Sequence, residues 1–467
     1  MGAEDFSVDG RRAVVVGAAR SGTAAAQLLA SRGAQVTLTD IRQTVDVELP
    51  RQSAIRLELG AHRRETFNAA DLVVVSPGVP VDQPILDGVR QRGIPVIGEL
   101  ELASRWIPGR IIAITGTKGK STTTALIGRM LAADGHHVLV GGNIGVPLSS
   151  QVDQSTSNTL HVVEASSFQL ETITTFRPWI AVWLNVADDH LDRHPTVDAY
   201  VSAKARLFAN QTAEDWALVN ADDPVVAQRT ATVPARRVEF ALSGRITSGV
   251  LIDGDWIVKR TDTATERLVP VAAVELRGRH MLNNVLAAAG AASLAGGTPE
   301  AMTRALRGFH GLEHVMEPVG DLKGVGFVND SKATNVEAAR RSIESFDRGV
   351  VAIVGGRFKG GDLRQLREPL STRGRAVVAI GEAAELVREA IAGVVPVINA
   401  ASMREAVERA YDAAAPDGVV LLAPACASFD WFRDYAERGS TFKQEVVRLK
   451  TSREGGGKDV LGERRER

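Results

Sequence analysis

Ile111-Ile112-Ala113-Ile114-Thr115-Gly116-Thr117-Lys118-Gly119-Lys120-Ser121-Thr122 is the stretch on which the reading of this chain turns. Ile111 to Ile114 is a short, wholly apolar run, the form a strand takes when both faces of its sheet are covered. Glycines follow, and a helix is predicted from Ser121. In such a strand–turn–helix the glycines let backbone N–H groups converge on an anion, and the helix N-terminus adds a favourable dipole. Lys120 is placed to reach terminal phosphates, and the Ser121 hydroxyl to bind Mg²⁺. Gly116, Thr117, Lys118, Gly119, Lys120, Ser121 and Thr122 are therefore candidate nucleoside-triphosphate residues. The match is not strict, because the first glycine of the usual P-loop pattern falls on Ile114. A turn that merely reverses the chain is the alternative.

Outward from this loop, short β-branched runs alternate with amphipathic segments, the mark of βαβ units. Strands are expected at Ala13 to Val16, Gln35 to Thr39, Leu72 to Val75, Val138 to Val140, Leu160 to Val163 and Ile180 to Leu184. Short strands and turns are expected between about Val233 and Leu276, then a helix from Met281 to Leu294. Further strands are expected at Gly326 to Val328, Val350 to Val354, Ala376 to Ile380 and Val419 to Leu422. The predicted fold is α/β in three domains. Residues 1–103 read as Rossmann-like, 104–311 as a P-loop ATPase-like parallel sheet, and 312–450 as Rossmann-like again. The charged, Gly-rich residues 451–467 read as a disordered tail.

Candidate ligand residues gather where strands end, which is where open α/β sheets bind. Gly17-Ala18-Ala19-Arg20-Ser21-Gly22 is an imperfect dinucleotide fingerprint with Asp40 at the end of the next strand, and an ordinary turn is an equal reading. Glu164 ends a strand. Asp188-Asp189-His190-Leu191-Asp192 follows another, and Lys204 lies on the next helix. A hard cation suits the oxygens of Ser121 and Glu164. His190 alone reads as structural and Lys204 alone as a surface lysine. In the last block stand Asn329 to Asn335, Gly355 to Gly361 and Pro424 to Asp430, whose lysines and hydroxyls fit a small anion. Solvated turns are the bland reading. Cys426 reads as a buried structural residue.

The chain has 467 residues, 44% hydrophobic and 24% charged, as an ordinary globular protein does. Its 55 basic and 56 acidic residues leave a net charge of −1, which argues against nucleic acid as main partner. One cysteine excludes a disulfide framework. The acidic start lacks an apolar signal core, and no apolar run approaches the ~20 residues of a membrane span. A cytoplasmic protein without membrane insertion is expected.

In this order the motifs resemble the Mur ligases, ATP-dependent amide-bond-forming enzymes of peptidoglycan precursor synthesis. The resemblance runs from Gly17 to about Phe442. It rests on Gly116 to Thr122, Gly141-Gly142-Asn143-Ile144-Gly145, Glu164 to Glu171, Asp189 to Arg193, Asp330 to Asn335 and Ala423 to Asp430. The Asp-Ser-Lys-Ala-Thr-Asn and Pro-Ala-Cys-Ala-Ser segments point to the D-glutamate-adding branch. The resemblance implies that Lys120 and Ser121 hold phosphates and a first Mg²⁺, with Glu164 as a further ligand. His190 and a carbamylated Lys204 would serve a second Mg²⁺. Asn284 and Asp330 would meet ATP. It implies a UDP-sugar at Arg20, Ser21, Asp40, Arg42, Ser76, Gly78 and Asn143. D-Glutamate would lie at Lys332, Thr334, Lys359, Ser428 and Tyr435. Carboxylate activation through an acyl phosphate, closure of the third domain and a monomeric state follow from the same likeness. Three positions depart from the family: Lys118 stands where Asn is common, Val315 where an Arg follows the His, and Met281 where Asn follows His280. A sibling amino-acid ligase and a nucleotide-binding regulator without turnover are the competing readings.

Overall fold

A computed structural model describes residues 6–45, 55–187, 193–276 and 279–455. The chain divides into two compact units, Met1–Phe309 and His310–Arg467. The first holds two sheets. Strands β1 (Arg12–Val16), β2 (Gln35–Asp40), β3 (Ile55–Leu59), β4 (Leu72–Val75) and β5 (Val96–Gly98) form a parallel sheet of order β3-β2-β1-β4-β5. Its central strand carries Val14, Val15 and Val16, all buried, because helices cover both faces.

The second sheet is built from β6 (Arg110–Thr115), β7 (Val138–Gly142), β8 (Leu160–Glu164), β9 (Ile180–Trp183), β10 (Trp216–Asn220) and β11 (Arg236–Phe240), followed by β12 (Gly249–Asp253), β13 (Trp256–Arg260) and β14 (Thr265–Pro270). Its order is β14-β13-β12-β11-β10-β9-β6-β8-β7. The sheet is parallel from β7 through β12, as expected, and the sequence reading did not anticipate that β13 and β14 extend it antiparallel at one edge. The cause is local. Only Gly254 and Asp255 separate the paired Asp253 and Trp256, and a two-residue connection can join only antiparallel strands. The helix over this sheet, Arg279–Leu294, packs an Ala-rich face on which Ala287, Ala288 and Ala291 are fully buried.

In the second unit, β15 (Glu317–Leu322), β16 (Val325–Asn329), β17 (Val350–Gly355), β18 (Gly374–Ile380), β19 (Val397–Asn399) and β20 (Val419–Leu422) form a sheet of order β15-β16-β20-β17-β18-β19. It is parallel except for the edge strand β15, which the sequence reading did not anticipate. Lys323 and Gly324 join β15 to β16 with φ of 51° and 88°, the paired positive values of a type I′ hairpin turn. The tail reading also needs correction. The last helix runs Tyr435–Gly455, so residues 451–455 continue its turns; residues 456–467 lie outside the described part. In the helix core Phe442, Val446 and Leu449 pack on the sheet.

Candidate active site

The loop after β6 is shaped by one side chain that sequence reasoning missed. Asn185, just past β9, accepts through Oδ1 from the N–H groups of Thr117 at 3.0 Å and Lys118 at 2.9 Å, and returns its Nδ2 to the Lys118 carbonyl at 3.0 Å. The Thr117 hydroxyl lies 3.0 Å from the Tyr200 hydroxyl and accepts from the Ala187 N–H. Thr117 is thus spent on holding the loop. The helix Lys120–Ala133 starts immediately afterwards, and its first-turn N–H groups lack intrahelical acceptors. Gly119 has φ 83°, and a Cβ there would stand 2.2 Å from the Asn284 Oδ1, so Asn284 packs on the loop. Asn284 also reaches the Met281 sulfur at 3.8 Å.

Lys120 folds back with Nζ 2.9 Å from the carbonyls of Gly116 and Thr117. Lys204, 1% exposed, donates to the same Gly116 carbonyl at 2.9 Å and sits 4.5 Å over the Tyr200 ring. The reading of Lys204 as a surface lysine fails: the helix Val197–Ala205 turns it inward. Two lysine side chains therefore share one carbonyl beside the loop. Lys118, by contrast, is exposed.

Glu164 ends β8 with 2% exposure. Its Oε2 accepts from the Ser121 hydroxyl at 2.6 Å and its Oε1 from the Asn143 amide at 2.8 Å. A buried carboxylate beside a hydroxyl is a hard oxygen pair of the kind Mg²⁺ takes with phosphate. Ser121 and Glu164 fit such an ion. Among the described residues no three His, Cys, Asp or Glu side chains cluster as a metal site. His190 lies outside the described residues.

Asn143 also lines a cavity of about 510 Å³ at the C-terminal ends of β1, β2 and β4. All of Arg20, Ser21, Asp40, Arg42, Ser76, Gly78 and Asn143 line it. Arg42 grips Asp40 through Nε at 2.9 Å and Nη2 at 2.7 Å, and the Ala18 N–H donates to Asp40 at 2.8 Å. The Arg42 guanidinium holds the Asp40 carboxyl well below the usual carboxylate range, against the opposing effect of burial. Ser76 donates to the Gly17 carbonyl at 2.8 Å. Ile41 and His62, which the sequence reading did not single out, line it as well; burial lowers the His62 pKa.

In the second unit three loops meet at the C-terminal ends of β16, β20 and β17. The Ala425 N–H donates to the Ala333 carbonyl at 2.9 Å, the Gly355 N–H to Pro424 at 2.8 Å, and Arg357 and Ala427 exchange backbone bonds. The loops that bear Lys332, Thr334, Lys359 and Ser428 are thereby brought together. Arg438, 1% exposed, was not foreseen. Its guanidinium donates to the Ser331 hydroxyl at 3.0 Å, the Ser331 carbonyl at 2.9 Å and the Cys426 carbonyl at 3.1 Å. No spacing in the sequence marks it. Burial among these carbonyls lowers its pKa to about 10. Tyr435 heads the same helix, exposed, with its carbonyl taken by Ser331. Asp330 is buried, bonded to Ser342 and the Met316 N–H, and its pKa is raised by burial. Near it His314 and Met316 hold φ of 64° and 44° around Val315. Cys426 is fully buried and burial pushes its thiol up to about 11, in line with the structural reading.

Family models match most of the chain: a Mur ligase MurD-like N-terminal domain over residues 11–98, a Mur ligase middle domain over 114–292, and a Mur ligase glutamate ligase domain over 316–426. The chain belongs to the Mur ligase family, and its enzymatic class is that of an ATP-dependent amino-acid ligase. Among its relatives, a UDP-N-acetylmuramoylalanine–D-glutamate ligase of Acidobacterium capsulatum is 47% identical over 448 residues, covering 95% of this chain and 97% of its own. The protein of that name from Solibacter usitatus is 45% identical over 441 residues, covering 94% and 98%. Solved structures share the fold. A pseudomurein peptide ligase type C of Methanothermus fervidus aligns with TM-score 0.53 at 19% identity over 94% of this chain and all of that one. UDP-N-acetylmuramate-alanine ligase of Thermotoga maritima aligns with TM-score 0.52 at 17% identity, covering 95% and 100%. Among the described residues no helix is long and apolar enough to cross a membrane.

Proposed function

We propose that this chain joins D-glutamate to the alanyl carboxylate of UDP-N-acetylmuramoyl-L-alanine at the expense of ATP, in cytoplasmic peptidoglycan precursor synthesis. The observation that carries the reading is Glu164. One buried carboxylate accepts from Ser121 of the phosphate loop and from Asn143 of the nucleotide-sugar cavity. The two substrates' reacting ends therefore meet at one carboxylate.

The alanyl carboxylate oxygen attacks the γ-phosphorus, ADP leaves, and an acyl phosphate forms. The amine of D-glutamate then attacks the acyl carbon, the tetrahedral intermediate expels phosphate, and the nitrogen releases a proton. Positioning and charge neutralisation supply most of the acceleration in such transfers. Lys120 exchanges its two carbonyl partners for phosphate oxygens, and the first-turn N–H groups of the same helix face them. Asn284 and Asp330 meet the nucleotide. Arg20, Ser21, Asp40, Arg42, Ser76 and Gly78 hold the uridine diphosphate portion. Lys332 and Lys359 pair with the carboxylates of D-glutamate, with Thr334, Ser428 and Tyr435 beside them.

Ser121 and Glu164 would hold one Mg²⁺, and His190 with Lys204 a second; bound there, Mg²⁺ neutralises phosphate charge. Lys204 is buried, as an amine must be to stay neutral and add CO₂ at Nζ with release of a proton. The chain acts as a monomer. The test is phosphate release from ATP with UDP-N-acetylmuramoyl-L-alanine, with and without D-glutamate, L-glutamate or D-aspartate. Release that requires the UDP-sugar and D-glutamate together is expected. Release with another amino acid instead would overturn the assignment of substrate, and none with any would favour a regulator.

A further inference from the structure

Between the nucleotide-sugar cavity and the phosphate loop runs a chain of touching side chains that the reaction itself does not use. It starts at Val79, which lines the cavity. The Arg193 guanidinium donates to the Val79 carbonyl at 2.7 Å and lies 4.8 Å over the Phe168 ring. Phe168 stacks on the His194 imidazole with centroids 5.3 Å apart and planes 15° from parallel. His194, 2% exposed, is pinned on both nitrogens, with Nδ1 3.2 Å from Glu171 and Nε2 3.0 Å from the Ser167 hydroxyl. Its edge meets the Tyr200 ring at 5.3 Å, and the Tyr200 hydroxyl reaches Thr117 at 3.0 Å. Lys204 stands over that same ring.

Every group along this line is fixed from two sides. Arg193 has a carbonyl and a ring, His194 two hydrogen-bond partners and two rings, Tyr200 a ring and a hydroxyl. Residues that share partners in this way respond together, whereas groups separated by solvent respond independently. The carbonyl at one end belongs to the Ser76–Val79 turn of the cavity wall, where the Val79 N–H donates to the Ser76 carbonyl. The hydroxyl at the other end belongs to the loop that faces the triphosphate.

We propose that Arg193 and His194 are positioning residues that couple the two substrate sites, so that filling the nucleotide-sugar cavity tightens the phosphate loop's hold on ATP. The inference rests on the proposed substrates. Linkage requires the effect to be reciprocal, each ligand changing the other's affinity by one factor.

The experiment is a binding cycle by calorimetry on the full chain. A non-hydrolysable ATP analogue with Mg²⁺ is titrated in the absence and presence of saturating UDP-N-acetylmuramoyl-L-alanine. In the unaltered protein the UDP-sugar is expected to tighten the analogue by about fivefold or more. In Arg193→Met the analogue alone is expected to bind within about twofold of normal while that factor falls to about one. Tyr200→Phe, which cuts the line at its other end, is expected to lose the factor too. Arg193→Lys, which keeps a donor for Val79 but no planar group over Phe168, is expected to keep part of it, and serves if Arg193→Met does not fold. An unchanged factor in Arg193→Met or in Arg193→Lys overturns the proposal, as does a factor of one in the unaltered protein. A merely structural role would weaken the analogue alone and leave the ratio intact. If the UDP-sugar does not bind the unaltered protein at all, it is the substrate reading that falls.

Discussion

The turns Gly17–Arg20 and Gly116–Lys120 are the same backbone device used twice. Each follows the first strand of its sheet, each begins on a glycine with positive φ, 96° and 153°, and each opens a helix. The side chains around them differ. At the first turn the polar groups close on one another: Asp40 takes Arg42 and the Ala18 N–H, and Ser76 takes the Gly17 carbonyl. At the second, Lys120 and Lys204 crowd one carbonyl and Lys118 projects outward. A helix N-terminus offers the same weak attraction for an anion in both places. The two turns thus share a backbone form and differ in the side chains that the neighbouring loops and helices bring to it.

The difference can be broken most severely at Lys120. Lys120→Met is expected to lower kcat by about a thousandfold, as removal of a preorganised charge from a transition state does, with circular dichroism unchanged. Gly22→Ala attacks the first turn through packing. Its Cβ would stand 1.8 Å from the Gly17 carbonyl oxygen, and a loss of about 3 kcal/mol in urea unfolding is expected.

Acid separates the two sheets. His161, buried in β8 between Ser155 and Gln151, is held down to about 4 by burial, with His137 adding to it. An unfolded histidine titrates near 6.5. Between those values the unfolded chain binds a proton that the folded one refuses, so stability falls as pH drops from about 6.5 to about 4, by on the order of 3 kcal/mol. Asp40 is depressed instead, so its contribution persists above the ordinary carboxylate range and is lost only below it. His161→Gln is expected to flatten the urea midpoint between pH 7 and 4.5; a midpoint with the original slope would sink this account.

Two smaller effects sharpen the contrast. Asp40→Asn releases Arg42 and is expected to raise the KM for the UDP-sugar about tenfold with kcat and the ATP KM unchanged, the signature of lost uniform binding. Lys118→Asn removes an exposed cation, and an ATP KM two- to fivefold higher, steeper at low salt, is expected. An unchanged KM would show that the exposed Lys118 ammonium takes no part in holding ATP.

Much of the molecule was legible because apolar runs such as Val14–Val16 and Ile111–Ile114 are buried on both faces, and periodicity reports burial directly. The candidate ligand residues were legible because they cluster at strand ends in recognisable motifs. What escaped reading follows another logic. Asn185 and Arg438 act on backbone atoms distant in sequence, and nothing in their neighbours announces that. The strand β15 is half-exposed and carries Pro318 and Gly320, so its pattern is weak. Lys204 read as a surface residue by composition, because helix periodicity does not say which face an adjoining loop will cover.

Cys426 has a practical bearing. It is the chain's one thiol, fully buried and held protonated by a pKa of about 11. Electrophiles that need a thiolate find none there at neutral pH. A cysteine placed at an exposed position would thus take a maleimide dye alone, and spectroscopic labelling needs no prior removal of the natural one.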